Sequence, residues 1–595
     1  MDQAPIDILR RYWRHDTFRP MQEEIIRSVL DGRDTLALLP TAGGKSICFQ
    51  VPAMAGPGLC LVISPLIALM RDQVDGLRKK NITAFALYSG MSRKELINTL
   101  RVSSDSNCKF LYVSPERLQT DLFLEYLPGL PINLIAVDEA HCVSQWGYDF
   151  RPSYLKIAAL RKELPSVPVL ALTASATPDI LGDIGDKLGL RQPIVFRQSF
   201  ERANLSYSVF KVDSRVRKIT EILQNVPGSS IVYCRTRRSA KEISDALGRQ
   251  GISAGAYHAG LPLEERTRRQ EDWIKDRLRV MVCTNAFGMG IDKPGVRTVI
   301  HAGIPDAIEN YYQEAGRAGR DGKRAYAVLL YQEGEPEELK RLPDSRFPSM
   351  DIVRQVYQDV MNYLQLPAGS GKGNYYDFDA TVFVDKFRRG GHGTDGPGLG
   401  VRDQDAGASA NPVSEALNSI KALEQEGLVS FSQQVFLPAK VQFITDKRSL
   451  YDFEKDHPPL ESLIHILLRE YEGIFDQPTT VSEKNLSWLL RKPWEQIVAG
   501  LQELQAYRII EYIPQKDVPQ LYFFYDRARA EELHIDPVNY RTRKEQYAAR
   551  IRTMLDYLEN EDGCRSRLLA NYFGDAAAKD CGICDNCIKR LHSLR

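Results

Sequence analysis

The chain has 595 residues, with 78 Lys plus Arg against 77 Asp plus Glu and a formal net charge of +1. At 43% hydrophobic and 26% charged it has the make-up of a folded globular protein of about three to five domains, which excludes disorder over most of its length. Near-neutrality neither requires nor forbids a polyanionic partner, because a local track of Lys and Arg suffices to engage phosphates. The opening MDQAPIDILRRYWRHD is too polar for a secretory signal. No run approaches the ~18 apolar residues of a membrane span, so no membrane association is expected.

In chain order, LCLVIS (59–64), FLYVS (110–114), LIAVD (134–138) and VLALTAS (169–175) are near-continuous apolar runs separated by helical stretches. Such runs suit strands buried on both faces of a parallel sheet. SIVYC (230–234), VMVCT (280–284), TVIHA (298–302) and YAVLLY (326–331) repeat the pattern, so residues 1–204 and 205–342 read as two α/β domains in series. Six of the ten cysteines, Cys48, Cys60, Cys108, Cys142, Cys234 and Cys283, are scattered through these domains and read as buried free thiols of a reducing compartment. The character changes in an accessory region, 343–540. Residues 350–366 predict one helix, and the glycine-rich 390–412 predicts a linker. Two similar units, 413–438 and 493–526, each read as an amphipathic helix followed by a two-stranded segment, as in a winged helix. The last segment, 541–595, is a basic helix followed by the other four cysteines.

PTAGGKS (40–46) follows the apolar run TLALL and precedes a predicted helix. Glycines let backbone N–H groups turn inward and cradle phosphate oxygens. Thr41, Ala42, Gly43, Gly44, Lys45 and Ser46 are therefore candidate ATP-binding residues, with Lys45 on the β/γ-phosphates and Ser46 on Mg2+. The strict template has a glycine six positions before the lysine, where this chain has Leu39. DEAH (138–141) closes a buried run about 90 residues on, where a second acidic site belongs in such an ATPase. Asp138 would bind Mg2+ through water, and Glu139 would polarise the attacking water.

With these motifs the chain resembles the RecQ family of superfamily 2 helicases. FRPMQ (18–22), SPLIALMRDQV (64–74), YVSPERL (112–118), ALTASAT (171–177), IVYCRTR (231–237), TNAFGMGIDKP (284–294) and QEAGRAGRDG (313–322) follow in family order. The resemblance covers about residues 8–335 and implies two tandem RecA-like motor domains. It implies that Gln22 reads the adenine edge, with Arg19 beside it and His15 stacked on the base. It places Gln313, Arg317 and Arg320 in the catalytic set, with Arg320 as the finger and Arg317 in support; a guanidinium stabilises the transferring phosphoryl group only in a closed cleft. SQWGYDFRP (144–152) resembles the aromatic-rich loop that couples DNA to hydrolysis, with Trp146 and Phe150 stacking on unpaired bases and Arg151 meeting phosphate or base. Tyr148 stands where the family usually has histidine, and Ala42 where it usually has glycine.

Cys564, Cys581, Cys584 and Cys587 give C-x16-C-x2-C-x2-C, a spacing from which four thiolates can close a tetrahedral shell. An iron–sulfur cluster or a disulfide pair also fits four thiols, but the surrounding CRSRLLANYFGD resembles the family's Zn2+ segment. The family's usual order puts this module directly after the motor. Here about 220 residues intervene, so loss of the metal is expected to impair DNA binding or solubility more than basal ATP hydrolysis. In the preceding helix, Arg541, Arg543 and Lys544 are read either as phosphate contacts or as a solvated face. The expected fold is thus α/β: two RecA-like domains, winged-helix-like units and a C-terminal zinc-binding helical module. The resemblance implies an ATP-dependent 3′–5′ DNA helicase acting on single-stranded and on branched or duplex DNA in repair, recombination or replication, in a bacterial cytoplasm rather than a nucleus. An RNA-directed motor and a non-catalytic DNA-binding scaffold are the alternatives; no protein partner is implied.

Overall fold

The computed structural model describes residues 4–593, save 41–42, 89–90, 92, 146, 148, 289–292, 388–411, 433–438, 477 and 516–517. Its first sheet has seven strands: β1 (Thr35–Leu38), β2 (Leu59–Ile63), β3 (Ala84–Leu87), β4 (Phe110–Val113), β5 (Ile132–Val137), β6 (Val169–Thr173) and β7 (Ile194–Arg197). They lie in the order β3-β4-β2-β5-β6-β1-β7, all parallel. Alternate residues of one strand enter opposite cores. Leu61, Ile63, Leu111, Val113, Ile135 and Val137 face one cluster, while Cys60, Val62, Phe110, Tyr112, Leu134 and Ala136 face the other. Burial on both faces is why these strands read as unbroken apolar runs.

Parallel pairing requires a crossover between strands, so every strand of the sheet ends at the same edge. β1 runs into the glycine loop, β5 into DEAH and β6 into Ser175–Thr177, so three motifs distant in sequence meet at the carboxyl edge. The second sheet has six parallel strands, β8 (Leu205–Lys211), β9 (Ser229–Tyr233), β10 (Ala254–Tyr257), β11 (Val280–Cys283), β12 (Val296–His301) and β13 (Ala325–Tyr331), in the order β10-β11-β9-β12-β13-β8. The scattered cysteines are buried free thiols, as expected. Burial pushes Cys48 up to about 12, which leaves it inert toward oxidation and metals. No helix among the described residues is long and apolar enough to cross a membrane.

The predicted helix at 350–366 spans Met350–Tyr363. The predicted linker lies outside the described residues up to 411, and Pro412 opens the helix Pro412–Gln425. Residues 376–379 and 432–521 form a separate compact unit. In it, strand Ala439–Phe443 pairs antiparallel with Thr479–Val481 on one side and Ile510–Ile513 on the other. Helices Pro458–Glu470, Glu483–Leu490 and Trp494–Ala506 complete a winged-helix arrangement. Its core holds Val441, Phe443, Ile464, Leu467, Leu501, Leu504 and Tyr512.

The pairing corrects the reading of two repeated helix-plus-hairpin units. The strands at 510–513 and 520–523 are not a hairpin; the first joins 439–443, and the second belongs to a different sheet. The connection PQKDVP (514–519) lacks a two-residue turn signal, whereas alternating AKVQF places Ala439, Val441 and Phe443 in the same core as Ile510 and Tyr512. For the other unit, 433–438 lies outside the described residues.

Asp34 ties the amino edge of the first sheet together. Its buried carboxylate accepts from Val169 N at 2.9 Å and Arg191 N at 2.7 Å, and pairs with Arg161 Nη2 at 2.6 Å. Asp34→Ala would leave the guanidinium buried without its partner, a loss of about 3–5 kcal/mol. We expect a clearly lower urea midpoint for the motor domain; an unchanged midpoint would refute this role.

Candidate functional site

The glycine loop sits at the mouth of the first sheet. Gly44 has φ +75° and lies against the Gln22 carboxamide, so both backbone conformation and space require glycine there. Gln22 is buried; its Nε2 donates to Gly44 O at 3.0 Å and Gly43 O at 3.3 Å, and its Oε1 accepts from Arg19 N at 2.9 Å. The amide expected at a base edge is thus engaged on the loop backbone in this state. His15 and Arg19 are exposed beside it; Thr41 and Ala42 lie outside the described residues.

Lys45 Nζ donates to Glu139 Oε1 at 3.2 Å. Burial is the largest influence on both groups and opposes both charges, yet each is outweighed. Glu139 and Asp138 hold Lys45 above its usual range, and Lys45 with His141 holds Glu139 below the usual carboxylate range. Asp138 is pushed up to about 6 by burial and by the Glu139 charge. An under-neutralised buried carboxylate near Ser46 is a donor set that suits a hard divalent cation such as Mg2+. Glu139 has φ +47°, a left-handed conformation that a non-glycine residue holds at a cost of about 1–3 kcal/mol and that clusters at functional sites.

The carboxylate does not act alone. His141 Nδ1 lies 3.4 Å from Glu139 Oε2 and 3.0 Å from Thr173 Oγ1, and burial pulls its ring below the ordinary histidine range against the opposing pull of Glu139. Thr173 Oγ1 accepts from Ser175 N at 3.4 Å, and Ser175 Oγ accepts from Gln313 Nε2 at 2.8 Å. Gln313 lies in the second domain, so hydrogen bonds link His141, which lies beside the Glu139 carboxylate, through Thr173 and Ser175 to the far side of the interdomain cleft. His141, Thr173 and Ser175 were quoted within motifs but given no role; strand-end clustering supplies it. Half-buried Arg320 lies close enough to Lys45 for its charge to oppose the ammonium. Arg317 is buried deeper, beside Tyr233 and Cys283, as a supporting residue would be.

In the loop after DEAH, Trp146 and Tyr148 lie outside the described residues. Arg151 N donates to Cys142 O at 2.9 Å and closes the loop. Phe150 is only 8% exposed, and Arg151 is held by Asp149 Oδ2 at 3.4 Å and Pro65 O at 3.2 Å. Phe150 is thus buried and Arg151 half-buried, each with partners inside the chain. The reason is local: the loop folds back on the sheet edge, which buries an aromatic ring and satisfies the guanidinium internally. Of the three basic residues at the start of the helix, Arg543 is buried in an ion pair with Glu426, half-buried Lys544 pairs with Asp344 at 2.8 Å, and Arg541 is exposed near Glu545.

Cys564, Cys581, Cys584 and Cys587 bring their sulfur atoms within 4.8 Å of one another, and Cys564 and Cys584 Sγ stand 4.0 Å apart. Thiolates at ~2.3 Å from a tetrahedral Zn2+ are about 3.8 Å apart, so the group fits with little movement. Backbone N–H groups point at the sulfurs: Cys581 N at Cys564 Sγ (3.2 Å), Arg565 N at Cys584 Sγ (3.4 Å) and Cys587 N at Cys584 Sγ (3.5 Å). Such donors stabilise thiolates and stand ready before the metal arrives. The shell leaves no protein-supplied open position, which makes the metal structural.

This module is not remote from the motor, whatever its distance in sequence. Ser206 Oγ donates to Ile583 O at 2.5 Å, Val209 N to Asp585 Oδ2 at 2.8 Å, and Tyr572 OH to Glu309 Oε1 at 2.8 Å. Loss of the metal is therefore expected to disturb ATP hydrolysis as well. We expect one zinc per chain by elemental analysis. Cys584→Ser should lose it, become protease-sensitive after helix Pro537–Glu559 and turn over ATP more slowly. An iron chromophore, or a metal-free C-terminus with unchanged protease resistance, would contradict the assignment.

Comparison with known proteins agrees with this geometry. The DEAD/DEAH box helicase model matches residues 19–183 and the helicase conserved C-terminal domain model 214–322. The RecQ helicase winged-helix domain model of Bacteroidota matches 441–514, and the RecQ zinc-binding model 515–588. The ATP-dependent DNA helicase RecQ of Bacillus subtilis (strain 168) is 46% identical over 327 residues, 54% of this chain and 55% of the relative. That of Pasteurella multocida (strain Pm70) is 41% identical over 343 residues, 58% of this chain and 54% of the relative. The chain thus spans about half the length of these two. The probable ATP-dependent DNA helicase RecS of Bacillus subtilis (strain 168) is 43% identical over 362 residues, and 72% of it is covered. The chain belongs to the RecQ family of superfamily 2 helicases.

Proposed function

We propose that the chain is an ATP-dependent DNA helicase that couples ATP hydrolysis to 3′–5′ translocation and duplex unwinding. The observation that carries this reading is the meeting of Lys45 and Glu139 from one sheet with Gln313 and Arg320 from the other at a single cleft. An ATP placed there would draw Lys45 from the carboxylate onto phosphate. Glu139, released, accepts a proton from water as the water oxygen bonds to the γ-phosphorus. The bond to the β–γ bridging oxygen breaks, and ADP leaves with the electron pair. Arg320 faces the charge that develops, and only while the cleft is closed. Mg2+ held by Ser46 and Asp138 would neutralise phosphate charge.

Residues 1–204 and 205–342 would be the two motor units, 343–540 the accessory region and 541–595 the zinc module. The relatives, which are DNA helicases, and the loop after DEAH favour DNA over RNA as the polymer, in a bacterial cytoplasm and in repair, recombination or replication. ATPase assays with single-stranded DNA, single-stranded RNA and no polymer test the reading. Stimulation by DNA alone supports it; stimulation by RNA alone favours an RNA-directed motor; no hydrolysis under any condition favours a scaffold.

Glu139→Gln keeps a hydrogen-bonding partner for Lys45 but cannot take a proton, so turnover should fall by about 10²–10⁴-fold with nucleotide still bound. Lys45→Ala should abolish hydrolysis and, because Lys45 is half of a buried pair, lower the melting temperature too. Normal DNA-stimulated turnover in either purified variant would sink the site. Trp146→Ala should weaken single-stranded DNA binding by about 1–3 kcal/mol, the loss of one base stack, and reduce stimulation at saturating DNA much further. Full stimulation in that variant would remove the coupling role from the loop.

A further inference from the structure

In the sequence, Phe200–Asn204 marks only the boundary between the two motor domains. In the structure it grips the loop that carries both arginines. Arg202 Nη1 donates to Gly316 O at 3.4 Å, and its Nη2 donates to Ala318 O at 2.9 Å and Gly319 O at 3.1 Å. These carbonyls follow the end of helix Ile308–Ala315, where unpaired backbone acceptors and the negative end of the helix dipole collect. A planar guanidinium can span several of them at once; an ammonium cannot. Asn204 Nδ2 adds bonds to Gly319 O at 2.7 Å and Lys323 O at 2.9 Å. Gly319 has φ +64°, and a side chain there would strike Asn204 and Ala325, so the loop has no slack at that point.

The grip is itself anchored on both sides. The Phe200 ring stacks on Phe573 of the cysteine module, with centroids 4.5 Å apart and planes 10° apart, and meets Tyr312 of the helix at 5.3 Å. Ser199 Oγ donates to Asp575 Oδ2 at 2.6 Å, and Glu201 Oε1 accepts from Lys579 N at 2.6 Å. Gly574 packs on Pro178 of the first domain.

We propose that Arg202 is a positioning residue for Arg320: it pins the carbonyls of residues 316–319 so that the Arg320 guanidinium stands at the nucleotide cleft, with the cysteine module holding the pin in place. Arg202 makes no contact with the reacting atoms, so it acts on the transition state through Arg320 and leaves nucleotide binding intact. The inference rests on the proposed ATP hydrolysis.

A double-mutant cycle tests it in the full-length, zinc-loaded protein. Arg202→Ala is expected to lower kcat by about 10- to 100-fold, the scale of a catalytic group misplaced by roughly 1 Å. KM for ATP and the affinity for a fluorescent ATP analogue should stay within a factor of about two of wild type. In an Arg320→Ala background the same change should cost nothing further, because the group it places is gone. Arg202→Lys keeps the charge but not the fork and should fall in between; it also keeps the test open should Arg202→Ala fold poorly. Losses that multiply in the double variant, or a loss carried by KM, would overturn the proposal while leaving the ATPase reading in place. A folded wild-type protein that does not hydrolyse ATP would overturn both.

Discussion

Two sheets have to face one γ-phosphate, and the rest of the structure follows from that constraint. In the proposed reaction the base, Glu139, and the phosphate-binding Lys45 come from the carboxyl edge of the first sheet, and the arginines from a loop of the second. Neither set completes a site alone. Polar links join the edges, chiefly Gln313 to Ser175 across the cleft and the Phe200–Asn204 segment at the join, beside a buried apolar cluster that includes residues of both domains.

Charge burial accounts for the rest of the chemistry. Lys45, Asp138 and Glu139 are taken out of water together, and none would be tolerable without the others. The pair Lys45–Glu139 neutralises itself, which leaves Asp138 short of positive charge and fit for a cation. The strained backbone at Glu139 persists because its surroundings over-determine it: Glu139 N donates to Asp138 Oδ1 at 3.0 Å, and Tyr154 OH donates to Asp138 O at 3.0 Å.

The cysteine module extends the same logic outward. It has little core of its own, and its apolar residues Leu569, Ala570 and Phe573 join the buried cluster that also contains Phe200, Tyr311 and Tyr312. A bound metal would stiffen the cysteine turn, the turn holds Phe573, and Phe573 holds the interdomain segment. A structural ion far from the nucleotide in sequence thereby lies within a few contacts of the groups that act on it.

Most of the motor was legible in the residue order. Apolar runs marked nine of the thirteen strands of the two parallel sheets, because an inner strand buried on both faces leaves no polar alternation to confuse the reading; the four unmarked, β3, β7, β8 and β10, are the edge strands. Turn glycines, the paired acids after β5 and the cysteine spacing marked the candidate groups, since each chemistry restricts residue type at fixed local intervals. The structure alone decided which of those groups are presented and which are withheld. Phe150, Arg151 and Arg543 read as nucleic-acid contacts by type, yet Phe150 and Arg543 are buried and half-buried Arg151 is engaged, by partners such as Pro65 and Glu426 that local sequence does not reveal. Arg202 carried no motif, and its role arises from carbonyls more than a hundred residues away. The physical reason is the same throughout: backbone conformation and two-faced burial are set within a few residues, whereas the pairing of a charge depends on whatever the folded chain brings beside it.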